Sequence, residues 1–183
     1  MLTAQSAHDK WPCVRLQVDE TIVYNGPIQG KKKISYSARS HVDQENCTIH
    51  IEYYNKSQQD TVVDEHGNII ENQSVSIVSI VANGVDLVQT NIIHRGFGQY
   101  TMKLDDDKRQ YFINNNISVG PNTSLHMFEN GVWCINLKLP ILSFITGQHD
   151  IVEPWERVQV EELVKTLYDQ YLVCKELEHK NDI

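Results

Sequence analysis

The sequence has few cysteines and none of the spacings that bind metal. Its 183 residues include four cysteines, which stand far apart in the chain at Cys13, Cys47, Cys134 and Cys174. Zinc sites and redox centres use closely spaced pairs such as C-x-x-C, so neither is indicated. We expect reduced thiols that are buried as small apolar residues.

Basic charge is also scarce. Sixteen Lys and Arg stand against 24 Asp and Glu, which gives a net charge of −8. Because proteins bind phosphate backbones through clustered cations, no nucleic-acid partner is expected. The basic run Lys31-Lys32-Lys33 is short and is interpreted as a solvated hairpin end.

Long apolar runs are missing as well. No stretch approaches the roughly 18 apolar residues that cross a membrane. The first ten residues contain no apolar run of the kind that forms a signal peptide. We therefore expect a protein that is made in the cytoplasm and has no membrane partner.

What the sequence does contain is apolar–polar alternation, the period of half-buried strands, from residue 13 to residue 146. Trp133, Ile135, Leu137 and Leu139, for example, share one face of a strand. Tyr53 and Tyr54 must point to opposite faces of another. The predicted strands are 14–18, 34–38, 47–53, 61–63, 69–71, 75–82, 100–104, 111–114, 125–128 and 132–139.

Turn residues separate these strands. Asn83-Gly84 and Asn130-Gly131 are flanked by apolar strands and predict two-residue hairpins. Many short strands without intervening helices are typical of antiparallel sheets, and they exclude a doubly wound α/β fold. We predict an antiparallel β-sandwich, jelly-roll-like, over 13–146, preceded by an N-terminal arm over 1–12.

The period changes after Pro154, where apolar residues recur at steps of three and four. This predicts an amphipathic α-helix within a C-terminal extension, 147–183. The helix could lie across its own sandwich or pack partly on a neighbouring subunit. In the second case its apolar residues form an interface, for which the candidates are Trp155, Leu163, Leu167 and Tyr171.

Residues that could carry chemistry are present but form no recognisable site. Asp105-Asp106-Asp107 could offer oxygen ligands to a cation, yet Lys108 and Arg109 follow at once and would repel it. We interpret this stretch as a solvated acidic turn and residues 64–68 as a plain hairpin loop. The histidines show no metal-binding spacing, and no nucleophile motif occurs. No catalytic residue, metal or cofactor is predicted.

Aromatic residues offer one binding chemistry. Flat aromatic faces near strand ends and loops bind sugars, and Tyr54, Tyr100 and Tyr111 are the candidate glycan contacts. Exposed tyrosines are also common at subunit contacts.

A resemblance rests on two stretches. One runs from Thr48 through Asn55-Lys56 and Asp64-Glu65-His66-Gly67-Asn68 to Ile77, and the other from Met127-Phe128-Glu129-Asn130-Gly131 to Ile141. Together they resemble small β-sandwich proteins of tailed bacteriophages, some of which are similar to carbohydrate-binding modules. The resemblance implies a virion component without enzymatic activity, and it carries no functional residue over.

Three functions stay open at this point. The first is a non-enzymatic structural or assembly protein, such as a phage tail or capsid-associated subunit, whose partners are other copies of itself or other structural proteins. The second is a carbohydrate-binding module that recognises surface glycans. The third is a hydrolase or small-ligand protein whose site is assembled from distant residues.

Overall fold

The protein is described by a computed structural model that covers residues 1–37, 46–82, 84–89 and 98–138. Residues 1–138 form one compact unit. The predicted C-terminal helix lies outside the described residues, as do Trp155, Leu163, Leu167 and Tyr171. No helix within the described ranges is long and apolar enough to cross a membrane.

The chain is mainly β, as predicted. In order, the strands are β1 (Leu2–Gln5), β2 (Cys13–Val18), β3 (Thr21–Pro27), β4 (Lys31–Lys32), β5 (Asn46–Tyr53), β6 (Thr61–Val63), β7 (Ile69–Asn72), β8 (Ser74–Ile77), β9 (Val81–Ala82), β10 (Val85–Asp86), β11 (Gly98–Met102), β12 (His126–Met127) and β13 (Gly131–Lys138). Among the described residues, a 3₁₀ turn (Gln58–Asp60) precedes β6 and an α-helix, α1 (Asp106–Asn114), follows β11.

The strands form two larger antiparallel sheets and two hairpins. One sheet has the order β11-β13-β5-β2-β3, and the other has the order β12-β8-β1-β4. The segment 1–12, predicted as an arm, contributes β1, which pairs with both β8 and β4. The hairpins are β6–β7 and β9–β10.

The core follows the alternation of the strands. Trp133, Ile135 and Leu137 are fully buried on one face of β13. Tyr53 is buried and Tyr54 is exposed, which confirms their predicted opposite orientations. The second sheet contributes its own buried side chains, namely Leu2, Ala4, Val75, Ile77 and Met127. The three described cysteines are free thiols, but they are half-buried and not fully buried as expected.

The strand predicted over 111–114 is wrong, since these residues belong to α1. Asp105 caps the helix by accepting the backbone N–H of Lys108. Asp106 and Asp107 lie in the first turn, where the helix dipole favours negative charge. The acidic run interpreted as a turn is therefore a helix start, and local capping outweighs the short apolar alternation that follows it.

Two further predictions concern turns. Ala82 pairs with Val85, as the hairpin predicted at Asn83-Gly84 requires. The hairpin predicted at Asn130-Gly131 is wrong, because β12 pairs with β8 whereas β13 pairs with β11 and β5. The chain thus crosses from one sheet to the other at this point. Similarly, the strand predicted over 75–82 is divided into β8 and β9.

Gly131 is required by the close approach of β11 at this crossing. A Cβ atom on Gly131 would lie 2.4 Å from the carbonyl oxygen of Thr101 and 2.6 Å from the Tyr100 ring. Neither neighbour is a flexible chain end, so the two strands would have to separate.

We therefore expect Gly131→Ala to lower the free energy of unfolding by about 1–3 kcal/mol, the usual cost of overpacking. Gly120→Ala is the matched control, because nothing lies within 4 Å of a Cβ added there. Urea unfolding of both variants checks this. Equal stability of the two variants would contradict it.

Candidate functional site

The β6–β7 hairpin, residues 61–72, exposes a group of large apolar side chains. Val63, Ile69 and Ile70 are 52%, 61% and 63% exposed. Val63 pairs directly with Ile69, and a bulge between Val62 and Val63 shifts the register so that Val62 faces Glu71. The bulge breaks the alternation, and the two consecutive isoleucines both meet solvent. We call these three residues the apolar tip.

The loop of this hairpin is held by one carboxylate. Asp64 Oδ1 accepts the backbone N–H groups of His66 and Asn68, both at 2.8 Å, and Oδ2 accepts the Asn68 side-chain amide at 2.9 Å. These hydrogen bonds, led by the Asn68 amide, hold the pKa of Asp64 below its usual value. Gly67 supplies a φ of +83° that a side chain would disfavour. The hairpin loop predicted over 64–68 is confirmed.

The base of the hairpin is tied to a buried lysine. Asn72, the last residue of β7, accepts the Thr61 hydroxyl at 2.9 Å and also accepts the Lys56 ammonium through the same Oδ1 atom. His8 donates its backbone N–H to the Glu71 carboxylate at 3.0 Å. The two strands are therefore anchored where they leave the protein body.

The Lys56 side chain is 1% exposed and joins three parts of the fold. Its ammonium donates to the Phe128 carbonyl at 2.6 Å and lies 3.7 Å from Glu129 Oε1. Its backbone exchanges two hydrogen bonds with the Asn130 side chain, each at 2.8 Å. Burial lowers the pKa of Lys56, while the Glu129 carboxylate opposes this shift.

Glu129 is held by a second lysine and by the backbone around it. Lys108 of α1 lies 2.5 Å from Glu129 Oε2. The buried Tyr100 hydroxyl donates to the Glu129 carbonyl at 2.5 Å. The helix and β11 thus both meet the crossing between the sheets at Glu129, the helix through the carboxylate and β11 through the backbone carbonyl.

Asp60 organises the other side of the hairpin base. Its carboxylate accepts the Ser57 backbone N–H and hydroxyl at 2.7 and 2.8 Å, and it pairs with Lys10 at 2.5 Å. Burial would raise the pKa of Asp60, but the hydrogen bonds from Lys10 and Ser57 outweigh it and lower the pKa. The Asp60 carbonyl accepts the backbone N–H of Gln73, whose side chain accepts the Tyr53 hydroxyl at 2.8 Å.

This arrangement suits recognition of another surface by a rigid element. An apolar group that is already fixed loses little conformational entropy on binding. Across the residues that the structure describes, no three His, Cys, Asp or Glu side chains group together in a way that could hold a metal ion.

One nucleophile and one base do lie together elsewhere. The Ser76 hydroxyl is 2.7 Å from His126 Nδ1. Partial burial of the ring and the Lys56 charge lower the pKa of His126, which favours the neutral imidazole. Such a pair needs a third group that orients the base for nucleophilic catalysis. Within the described ranges, no hydrogen bond orients His126 Nε2.

The three tyrosines predicted as glycan contacts are not brought together as one platform. Tyr100 is placed in the core with no exposed surface, because residues 98, 100 and 102 of β11 point inward. Tyr54 is 40% exposed, but Arg15 lies over its ring at 5.7 Å and its hydroxyl donates to Asn25. Tyr111 is exposed on α1.

Sequence reasoning missed both the apolar tip and Lys56. A signal for the tip is present, since Ile69 and Ile70 are adjacent in a short strand and cannot both face inward. No comparable signal marks Lys56, because lysine is rarely buried and its partners Asn72, Phe128 and Glu129 are distant in sequence.

Lys56→Met keeps the aliphatic length but removes the ammonium. We expect it to lower the free energy of unfolding by about 1–3 kcal/mol, because the Phe128 carbonyl and Asn72 each lose a buried donor. Urea unfolding measures this. Lys103→Met is the control, since Lys103 pairs with Glu52 at the surface and such pairs contribute less than about 1 kcal/mol. Equal losses in both variants would contradict a central role for Lys56.

No family model matches this chain, and no curated protein or solved structure matches it either. Its function is therefore inferred from its own residues.

Proposed function

We propose that this chain is a non-enzymatic assembly protein, a tail or capsid-associated subunit of a tailed-phage virion, that acts through protein–protein interfaces. The observation that carries the proposal is the apolar tip: Val63, Ile69 and Ile70 project from an anchored hairpin into solvent. In this proposal the two larger antiparallel sheets close as a jelly-roll-like sandwich that serves as the body of the subunit.

The energetics favour contact at the tip. Complete burial of a Val or Ile side chain is worth about 1.5–3 kcal/mol, and all three residues keep more than half of their surface in water. The loop is fixed by Asp64 and the base by Asn72, so little conformational entropy opposes burial. Apolar residues held in this way are typical of interfaces.

The predicted C-terminal interface belongs to the same proposal. Trp155, Leu163, Leu167 and Tyr171 would add a second contact surface, on a neighbouring subunit or another structural protein. The apolar tip acts in addition to these residues and does not depend on them.

A triple variant, Val63→Ser with Ile69→Ser and Ile70→Ser, tests the proposal. We expect the wild-type chain to show a mass above 21.1 kDa by light scattering, rising with concentration, and the variant to shift to the monomer mass. The reason is that the three side chains lose the apolar surface that binding would bury.

Ile22→Ser is the control, because Ile22 is 57% exposed and lies on β3 of the five-stranded sheet, outside the hairpin. Unchanged association in the triple variant, or equal loss in the control, would overturn a role for the tip. Circular dichroism verifies that each variant is folded.

A carbohydrate-binding module is the second candidate, and the exposed ring of Tyr111 favours it. This side chain is 61% exposed on α1, and its ring centroid lies 6.1 Å from that of Phe112 at a tilt of 56°. Flat exposed rings can stack on sugars, and glycan recognition would fit a host-binding component.

For this candidate we expect Tyr111→Ala to abolish binding on a glycan array and Tyr111→Phe to retain it, because stacking needs the ring and not the hydroxyl. Tyr54→Ala is the comparison, since Arg15 covers the Tyr54 ring. Absence of any glycan signal from the wild-type chain would end this candidate.

A further inference from the structure

Two surfaces of opposite charge lie at the two ends of β8, the acidic β6–β7 hairpin at one end and the basic run Lys31–Lys33 at the other. The hairpin ends at Asn72, two residues before β8 begins at Ser74. At the other end, Val78 donates its backbone N–H to Met1, the residue before β1. Leu2 of β1 pairs with Lys32 of β4, which brings the basic run to this end.

The hairpin end is acidic. Around the apolar tip stand the carboxylates of Asp64, Glu65 and Glu71, and residues 61–72 contain no Lys or Arg. The Glu65 side chain is 86% exposed, and Asp64 stays ionised because its hydrogen bonds hold its pKa low. The hairpin therefore presents an apolar centre with a negative rim.

The opposite end is basic. Lys31 and Lys33 are exposed, and no ion pair engages either of them within the described part of the chain. Val78, which is 36% exposed, supplies apolar surface at this end. Residues 27–37 contain no Asp or Glu, and the carboxylate that acts on the Met1 terminal ammonium at this end is that of Asp86. We call Lys31, Lys33 and Val78 the basic patch.

We propose that the occupant of the apolar tip is a second copy of this chain, which receives the hairpin on its basic patch. This deepens the proposed assembly function and rests on it. The opposite charges of hairpin and patch give the contact its orientation, since complementary potentials favour the correct pairing and like charges oppose the wrong one. A hairpin-to-hairpin contact would instead bring two negative rims together.

Such a contact is heterologous, because a different surface of each copy takes part. Heterologous contacts leave one unused surface at each end, so copies add head to tail, as a closed ring or an open filament. The placement at the two ends of β8, which spans about 13 Å at 3.3 Å per residue, directs this growth along that strand.

Charge reversal tests the pairing. One variant carries Glu65→Lys and Glu71→Lys, so that hairpin and patch are both positive; the other carries Lys31→Glu and Lys33→Glu, so that both are negative. We expect each variant alone to associate about tenfold or more weakly than the wild-type chain in sedimentation velocity, because like charges face each other. An equimolar mixture should regain association, and so should one chain carrying all four substitutions.

Each result decides between specific alternatives. Weaker association of both two-substitution variants, with recovery in their mixture and in the chain that carries all four substitutions, supports the head-to-tail contact. Loss in the hairpin variant alone overturns it, because the basic patch is then not required, and the assembly function survives. A wild-type chain that stays monomeric at every concentration overturns the second copy as occupant. If the wild-type chain associates and the serine variant of the apolar tip associates equally, the apolar tip has no part in assembly, and the proposed function loses the observation that carries it.

Discussion

The structure depends on one buried charge, the Lys56 ammonium. Removing a lysine from water is costly unless hydrogen bonds and an opposite charge compensate for it. Here Asn72, the Phe128 carbonyl and Glu129 supply that compensation. These partners belong to the hairpin base and to the crossing between the sheets. The lysine therefore fixes parts of the chain that the sheet hydrogen bonds alone do not join.

From this anchor the hairpin gains its rigidity. Its base is held by Asn72 and by the His8–Glu71 hydrogen bond, and its loop by the carboxylate of Asp64. An isolated two-stranded hairpin is marginally stable in water. Because the base and the loop are both fixed, the apolar side chains between them stay exposed and do not fold back onto the protein body. Ile69 and Ile70 are therefore accessible to a binding partner.

Much of this fold could be predicted from the sequence, because alternation reports which residues face inward. The strands β6 and β13, the loop over 64–68 and the opposite faces of Tyr53 and Tyr54 all follow from it. Alternation says nothing about which strand is the partner, so the change of sheet at Asn130-Gly131 was missed. The helix α1 was missed because its Asp105 cap was interpreted as a solvated turn.

The site was harder to predict than the fold for a related reason. The role of Lys56 depends on partners that only the tertiary structure brings to it. The apolar tip, in contrast, can be recognised locally, because Ile69 and Ile70 are adjacent in one strand and cannot both face inward. A net charge of −8 makes copies of this chain repel one another at long range. Association therefore needs a local positive surface, and exposed lysines not occupied by an internal carboxylate can provide it. In the described part of the chain Lys31 and Lys33 meet that requirement together beside the end of β8, and Lys138 meets it at the end of β13, whereas Lys10, Lys56 and Lys108 are already paired with Asp60 and Glu129.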